Sequence, residues 1–207
     1  MALVKPANLK SSSSHTNYYV ICDIAILSFQ DKSAQYDWAD IYLDVTVKQK
    51  GSDYTKSIRI SGSLEKGPDG SVSGGTVLNR LYHFFDILGV KAGVNAKGDW
   101  ETEDGQPIDD IAGYLTSNHA EGIDANPTEF PFLAYVYKEK PKQSGGKVYT
   151  RVHHKINANS EEGRRKLTDD VNWFKSKGFI KEAKLEDPKS TVEEMEEVFG
   201  SDAIGNM

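Results

Sequence analysis

Residues 130–156 read FPFLAYVYKEKPKQSGGKVYTRVHHKI, and rings and cations recur through them in a pattern suited to one kind of ligand. Tyr135, Tyr137, Tyr149 and His153 are flat side chains that can stack on nucleobases. Lys138, Lys140, Lys142, Lys147, Arg151 and Lys155 are cations that can follow a phosphodiester backbone. Together these two types hold single-stranded nucleic acid, each stacked base contributing roughly 1–3 kcal/mol. Over residues 138–155 six Lys or Arg stand against one acid, Glu139, although the 207-residue chain as a whole carries −6. The acid excess lies elsewhere. Residues 186–207 hold seven acids and one base, and the remaining 185 residues hold 24 of each. An acidic total therefore does not exclude a polyanionic ligand.

Catalytic patterns are missing. The chain has no phosphate-binding glycine loop, no His-Glu-x-x-His pair and no Gly-x-Ser-x-Gly elbow. Neighbouring side chains on a strand point to opposite faces, so His153 and His154 are not expected to share a metal. Asp99, Glu101, Glu103, Asp104, Asp109 and Asp110 are the right residue types for Mg²⁺-dependent hydrolysis. They fall in a glycine-rich stretch whose spacing sets no geometry, and solvated loop charge is the expected reading. Neither metal, cofactor nor enzymatic activity is expected. The single cysteine, Cys22, has no partner for an internal disulfide and sits in an apolar strand pattern, where a buried, inert thiol is expected.

The elements that must position the rings and cations follow from periodicity. Residues 18–29, 40–50 and 54–63 are rich in β-branched and aromatic residues and read as three strands. The second and third form a hairpin about Lys50-Gly51-Ser52-Asp53, with Tyr42, Lys48 and Arg59 on its solvent face and a bulge expected near Lys56. A Gly/Ser-rich connection over 66–75 leads into a helix over 76–88. Its stripe is Val77, Leu78, Leu81, Phe84, Phe85 and Leu88, and Gly89 stops it. Residues 90–129 read as an elaborated connection with a short helical candidate at 108–115. The basic hairpin follows, one parity of each arm apolar and the other tyrosine and cation. Ser160 is the expected N-cap of a helix carrying Leu167, Val171 and Phe174 and ending near Gly178, with Phe179-Ile180 pinning its end.

Three parts result: a flexible arm over 1–17, a nucleic-acid-binding domain over 18–185, and an acidic interaction tail over 186–207. In the tail Glu193, Glu194, Glu196, Glu197 and Phe199 offer carboxylates around apolar residues at helical spacing, a pattern suited to contact with a partner. Apolar runs fall short of the roughly 18 residues that span a bilayer, and the N-terminus lacks the apolar core of a signal peptide. No membrane association and a cytoplasmic setting, that of the host cell if the chain is phage-encoded, are the expectations.

The predicted class is mainly β with helices (α+β). Three strands, a helix and a last hairpin give the element order of an OB-fold, a five-stranded barrel with its helix between strands 3 and 4. The lysine-rich loop then becomes the connection between strands 4 and 5, one of the two that commonly line an oligonucleotide groove. With its acidic tail the chain resembles the single-stranded-DNA-binding proteins of bacteriophages over residues 18–207. That resemblance implies a non-catalytic, sequence-independent binder of single-stranded DNA in phage-type replication or recombination, whose tail contacts replication proteins. The alternative expectation is a structural or assembly β-barrel protein of a virion or tail.

Overall fold

Alternating β-branched residues and glycine-marked turns build the first half of the molecule. The computed structural model describes residues 18–120, 122, 126–140 and 147–183. The first strands are β1 (Val20–Asp31), β2 (Ile41–Gln49) and β3 (Thr55–Gly62). A short antiparallel pair, β4 (Glu65–Lys66) and β5 (Val72–Gly74), occupies what reads in sequence as a plain connection. Helix α1 (Thr76–Leu88) follows, and Gly89 ends it at φ 68°, a left-handed conformation that favours glycine. The long connection contains a second small pair, β6 (Ala92–Val94) and β7 (Trp100–Thr102), and helix α2 (Ile111–His119). Strands β8 (Phe132–Glu139) and β9 (Tyr149–Ala158) form the last hairpin, and α3 (Glu161–Ser176) closes the described chain.

The five long strands make one antiparallel sheet in the order β3-β2-β1-β8-β9. One face buries Ile24, Ile26, Val45, Ile58, Val136 and Ile156 against Leu81, Phe84 and Phe85 of α1 and Leu115 of α2. Each such side chain removed from water stabilises the fold by roughly 1.5–3 kcal/mol. The other face of β8 is buried as well. Leu133, Tyr135 and Tyr137 lie under Leu167 and Val171 of α3 and under Ile180. Ser160 caps α3 by accepting a hydrogen bond from the Gly163 N–H at 3.0 Å, as its position before Glu161-Glu162 implied.

Several expectations need correction. The sheet is not a closed barrel: no hydrogen-bonded ladder joins β3 to β9, although Cα atoms of the two edges approach within 8 Å. On that edge β9 places His153, His154 and Lys155 opposite the single Tyr135, between the pairs Ala134–Ile156 and Val136–Val152. An insertion of this kind bends a strand and interrupts pairing. The bulge expected near Lys56 is absent, because β2 and β3 pair in continuous register from Ile41–Gly62 to Lys48–Thr55. Lys56 stays half-buried on the apolar parity, where burial lowers its pKa. Ile180 is buried as expected of the segment after α3, but Phe179 is 67% exposed. Among the described residues no helix is long and apolar enough to cross a membrane. The arm over 1–17 and the tail over 186–207 lie outside the described residues.

Candidate functional site

One connection and the two open edges of the sheet meet around a cleft of about 460 Å³. Its walls come from β2, β3, β9 and the segment joining β1 to β2. Tyr42, Ser57, Arg59 and Ser61 share the outward parity of the β2–β3 pair, opposite the core residues Leu43, Ile58 and Ile60. Trp38 reaches in from the β1–β2 connection, and Arg151 lies on the facing edge.

The aromatic wall is held by local bonds. Tyr36 stacks on Tyr42 with ring centroids 4.4 Å apart and planes 18° apart, and Trp38 meets Tyr42 edge-on at 5.9 Å. Offset and edge-on arrangements of this kind add roughly 0.5–1.5 kcal/mol beyond the area buried. The connection is tied down at both ends: Ser33 Oγ accepts from the Tyr42 N–H at 2.8 Å, and Ser63 Oγ donates to the Trp38 carbonyl at 2.9 Å. Trp38 nevertheless remains 58% exposed. A large ring fixed by its backbone and open to water is a preformed stacking surface.

The charges divide into engaged and available. Lys32 pairs with Asp44 of β2 at 2.7 Å, which offsets that carboxylate's charge. The Arg151 Nε donates to Glu139 at 2.7 Å while its guanidinium lies 5.7 Å from the centroid of the exposed Tyr149 ring. Arg59 is exposed and has no ion pair among the described residues. Lys140 and Lys147 are exposed at the two ends of the β8–β9 connection, and Lys142 lies outside the described residues.

The site residues expected from sequence are thus only partly brought together. Tyr42, Arg59, Tyr137, Arg151 and His153 all line the cleft, with Tyr149 at its edge. Tyr135 is 2% exposed beneath α3, and its hydroxyl donates to Glu182, which Lys175 also binds at 2.7 Å. Burial and that bond push the Tyr135 pKa up. Tyr135 is therefore no stacking platform, and Tyr137 beside it is covered by α3 over most of its ring. The parity argument failed here because α3 buries the face expected to meet solvent. Lys155 is engaged with Asp170 at 2.9 Å, Lys48 with Asn126 at 2.8 Å, and Lys138 lies over the Tyr18 ring at 4.8 Å. Glu193, Glu194, Glu196, Glu197 and Phe199 lie outside the described residues.

His153 and His154 depart further from expectation. Because of the bulge they do not point to opposite faces; their ring centroids are 4.3 Å apart and both pack on Phe174 of α3. Burial first, then Arg80, lowers the His153 pKa to about 4; burial and then His153 itself lower that of His154 to about 2. The Lys155 N–H donates to His153 Nδ1 at 3.3 Å, which leaves the ring proton on Nε2. Behind the pair, between α1, β9 and α3, lies a second cavity of about 590 Å³ with Arg80, His83, Trp173 and Phe179 in its walls.

The acidic stretch does local structural work. Asp110 caps α2, Glu103 pairs with Lys91 at 3.2 Å, and Asp104 accepts from Thr102 at 2.5 Å. Among the described residues no three His, Cys, Asp or Glu side chains are grouped so as to hold a metal ion. Cys22 is buried, burial raises its thiol pKa to about 11, and Gln49 Nε2 donates to its sulfur at 3.1 Å.

Sequence reasoning missed Tyr36, Trp38, Arg80, His83, Trp173 and Phe179. The signal for Trp38 was available: two large rings in the polar segment YDWAD have no apolar stripe to join. Comparison with protein-family models, with curated proteins and with solved structures returns no match.

Proposed function

We propose that the chain binds single-stranded DNA without sequence preference, through the cleft between the β1–β2 connection and the β8–β9 hairpin. One observation carries the reading: an exposed, backbone-anchored Trp38 stands beside two arginines, Arg59 and Arg151, in a single depression. Bases would stack on Trp38 and Tyr149, and phosphates would meet Arg59, Arg151, Lys140 and Lys147. Stacking and phosphate contacts treat the four bases nearly alike, which is why the binding is sequence-independent.

The topology supports the same reading. Strand order β3-β2-β1-β8-β9, with α1 between the third and fourth long strands, is compatible with an OB-type arrangement left open between β3 and β9, and it supports this proposal. In an OB-fold the connections between strands 1–2 and 4–5 commonly line oligonucleotide grooves, and here Trp38 of the first of them lines the cleft. A role in phage-type replication or recombination, with the acidic tail meeting replication proteins, completes the proposal. A titration of the full chain with fluorescently labelled oligo-dT tests it. Binding at low salt, weakening with a log–log slope near −0.7 for each phosphate neutralised, is the expected result. No binding at low salt, or an affinity indifferent to salt, overturns it.

A further inference from the structure

We propose that the cavity between α1, the β9 bulge and α3 is a second base-binding subsite, filled by the same strand of DNA that occupies the Trp38–Arg59 cleft. The inference rests on the nucleic-acid reading and extends it to a surface which that reading leaves unused.

Continuity comes first. The two depressions share Tyr137, His153 and His154 in their walls, so a strand leaving the first has only the bulge to cross before reaching the second. The bulge thereby gains a purpose: three residues opposite one carry both histidine rings to the crossing point.

The chemistry of the cavity also suits a nucleotide. Trp173 is 50% exposed and Phe179 67%, with centroids 5.9 Å apart. Both are backed by Phe174, at 5.0 and 6.1 Å, so the rings are held in place while their outer surfaces stay wet. Arg80, half-exposed, makes no ion pair among the described residues and stands free to meet a phosphate. His83 shares a hydrogen bond with the Ile156 carbonyl at 3.2 Å. The three imidazoles are uncharged at neutral pH, since burial lowers the pKa of each. They therefore offer ring edges to a base without a charge that must lose its water. A purely apolar partner peptide would use the two outer rings and leave Arg80 and the histidines with nothing to do.

The test uses the full chain carrying 5-fluorotryptophan, whose three ¹⁹F resonances belong to Trp38, Trp100 and Trp173. Oligo-dT of about 5 and about 15 nucleotides brackets the span of one OB-type groove. The short oligonucleotide should shift Trp38 alone, the longer one Trp38 and Trp173, and neither should shift Trp100. The double variant Trp173→Ala/Phe179→Ala should lose at least about fivefold in affinity for the longer oligonucleotide and keep its affinity for the shorter one. Arg80→Ala should shed one phosphate's share of the salt slope on the longer oligonucleotide only. A Trp38 shift at both lengths with Trp173 unmoved, or wild-type affinity of both variants, overturns the second subsite and leaves the first cleft standing. A Trp173 shift that follows protein concentration without DNA assigns the cavity to self-association and overturns the proposal. Three unmoved resonances at low salt overturn both readings together.

Discussion

His153 and His154, consecutive on an edge strand, bring their rings to 4.3 Å centroid to centroid instead of pointing apart. The pair is the signature of the β9 bulge, where three residues face Tyr135 alone. It also holds two groups that acid can charge in a place where burial disfavours the charged form.

Stability should therefore fall on mild acidification. The folded-state pKa of His153 is about 4 against an ordinary 6.5, so between those values the unfolded chain binds more protons. The contribution of the neutral ring is complete above pH 6.5 and is lost as pH falls towards 4. His154, lowered in the same direction, acts with it. Urea unfolding at pH 7.5 and pH 5 is expected to show a lower midpoint at pH 5. His153→Gln, which cannot take up the proton, should narrow that gap. An equal gap in the variant would assign the acid response to other groups.

Tyr135 separates structure from binding. Its hydroxyl shares Glu182 with Lys175 beneath α3, and burial would raise that carboxyl's pKa if the two hydrogen bonds did not hold it down. Tyr135→Phe should cost about 1.5–3 kcal/mol, the range for a hydrogen bond to a charged group. Affinity for oligo-dT should be unchanged. If stability held and affinity fell fivefold, Tyr135 would belong to the interface after all.

Strands, the first helix and their caps were legible because each depends on local pattern. Gly89 and Ser160 sit where backbone geometry and unpaired N–H groups demand them, and the stripe from Val77 to Phe85 can face only one way. The loss of Tyr135 and Tyr137 to the interior was not legible. Both faces of β8 are apolar enough to bury, and only the docking of α3, an event between elements distant in sequence, decides which tyrosines see water. The bulge escaped for a related reason. Val152, His154 and Ile156 keep a strand's parity in sequence, and only the partner strand reveals that three residues answer to one.

The cleft itself makes a graded prediction. Trp38→Ala should weaken binding to oligo-dT by roughly 5- to 150-fold, the loss of one stacked base, with the fold intact because that ring is already more than half exposed. Arg59→Ala should weaken binding evenly across homopolymers and lower the salt slope by about 0.7. Lys48→Ala is the contrast, since Lys48 binds Asn126 and lies outside the cleft. Equal losses for Arg59→Ala and Lys48→Ala would point to diffuse charge attraction over the surface and not to the cleft.

The acidic segment supplies the last test. Residues 186–207 carry −6, and without them the chain is balanced at 24 bases and 24 acids. A polyanion tethered to the protein competes with DNA for the same cations, and its local concentration stays fixed however dilute the solution. Removing residues 186–207 is expected to tighten oligo-dT binding at low salt. The gain should shrink as salt rises, because the screening length falls from about 10 Å at 0.1 M to about 3 Å at 1 M. Changing Glu193, Glu194, Glu196 and Glu197 to Gln keeps the length and removes four charges, so it separates charge from bulk. If charge is the cause, this variant recovers most of the gain. An unchanged dissociation constant in the truncated chain would remove competition from the account, and a gain that survives 1 M salt would assign it to something other than charge.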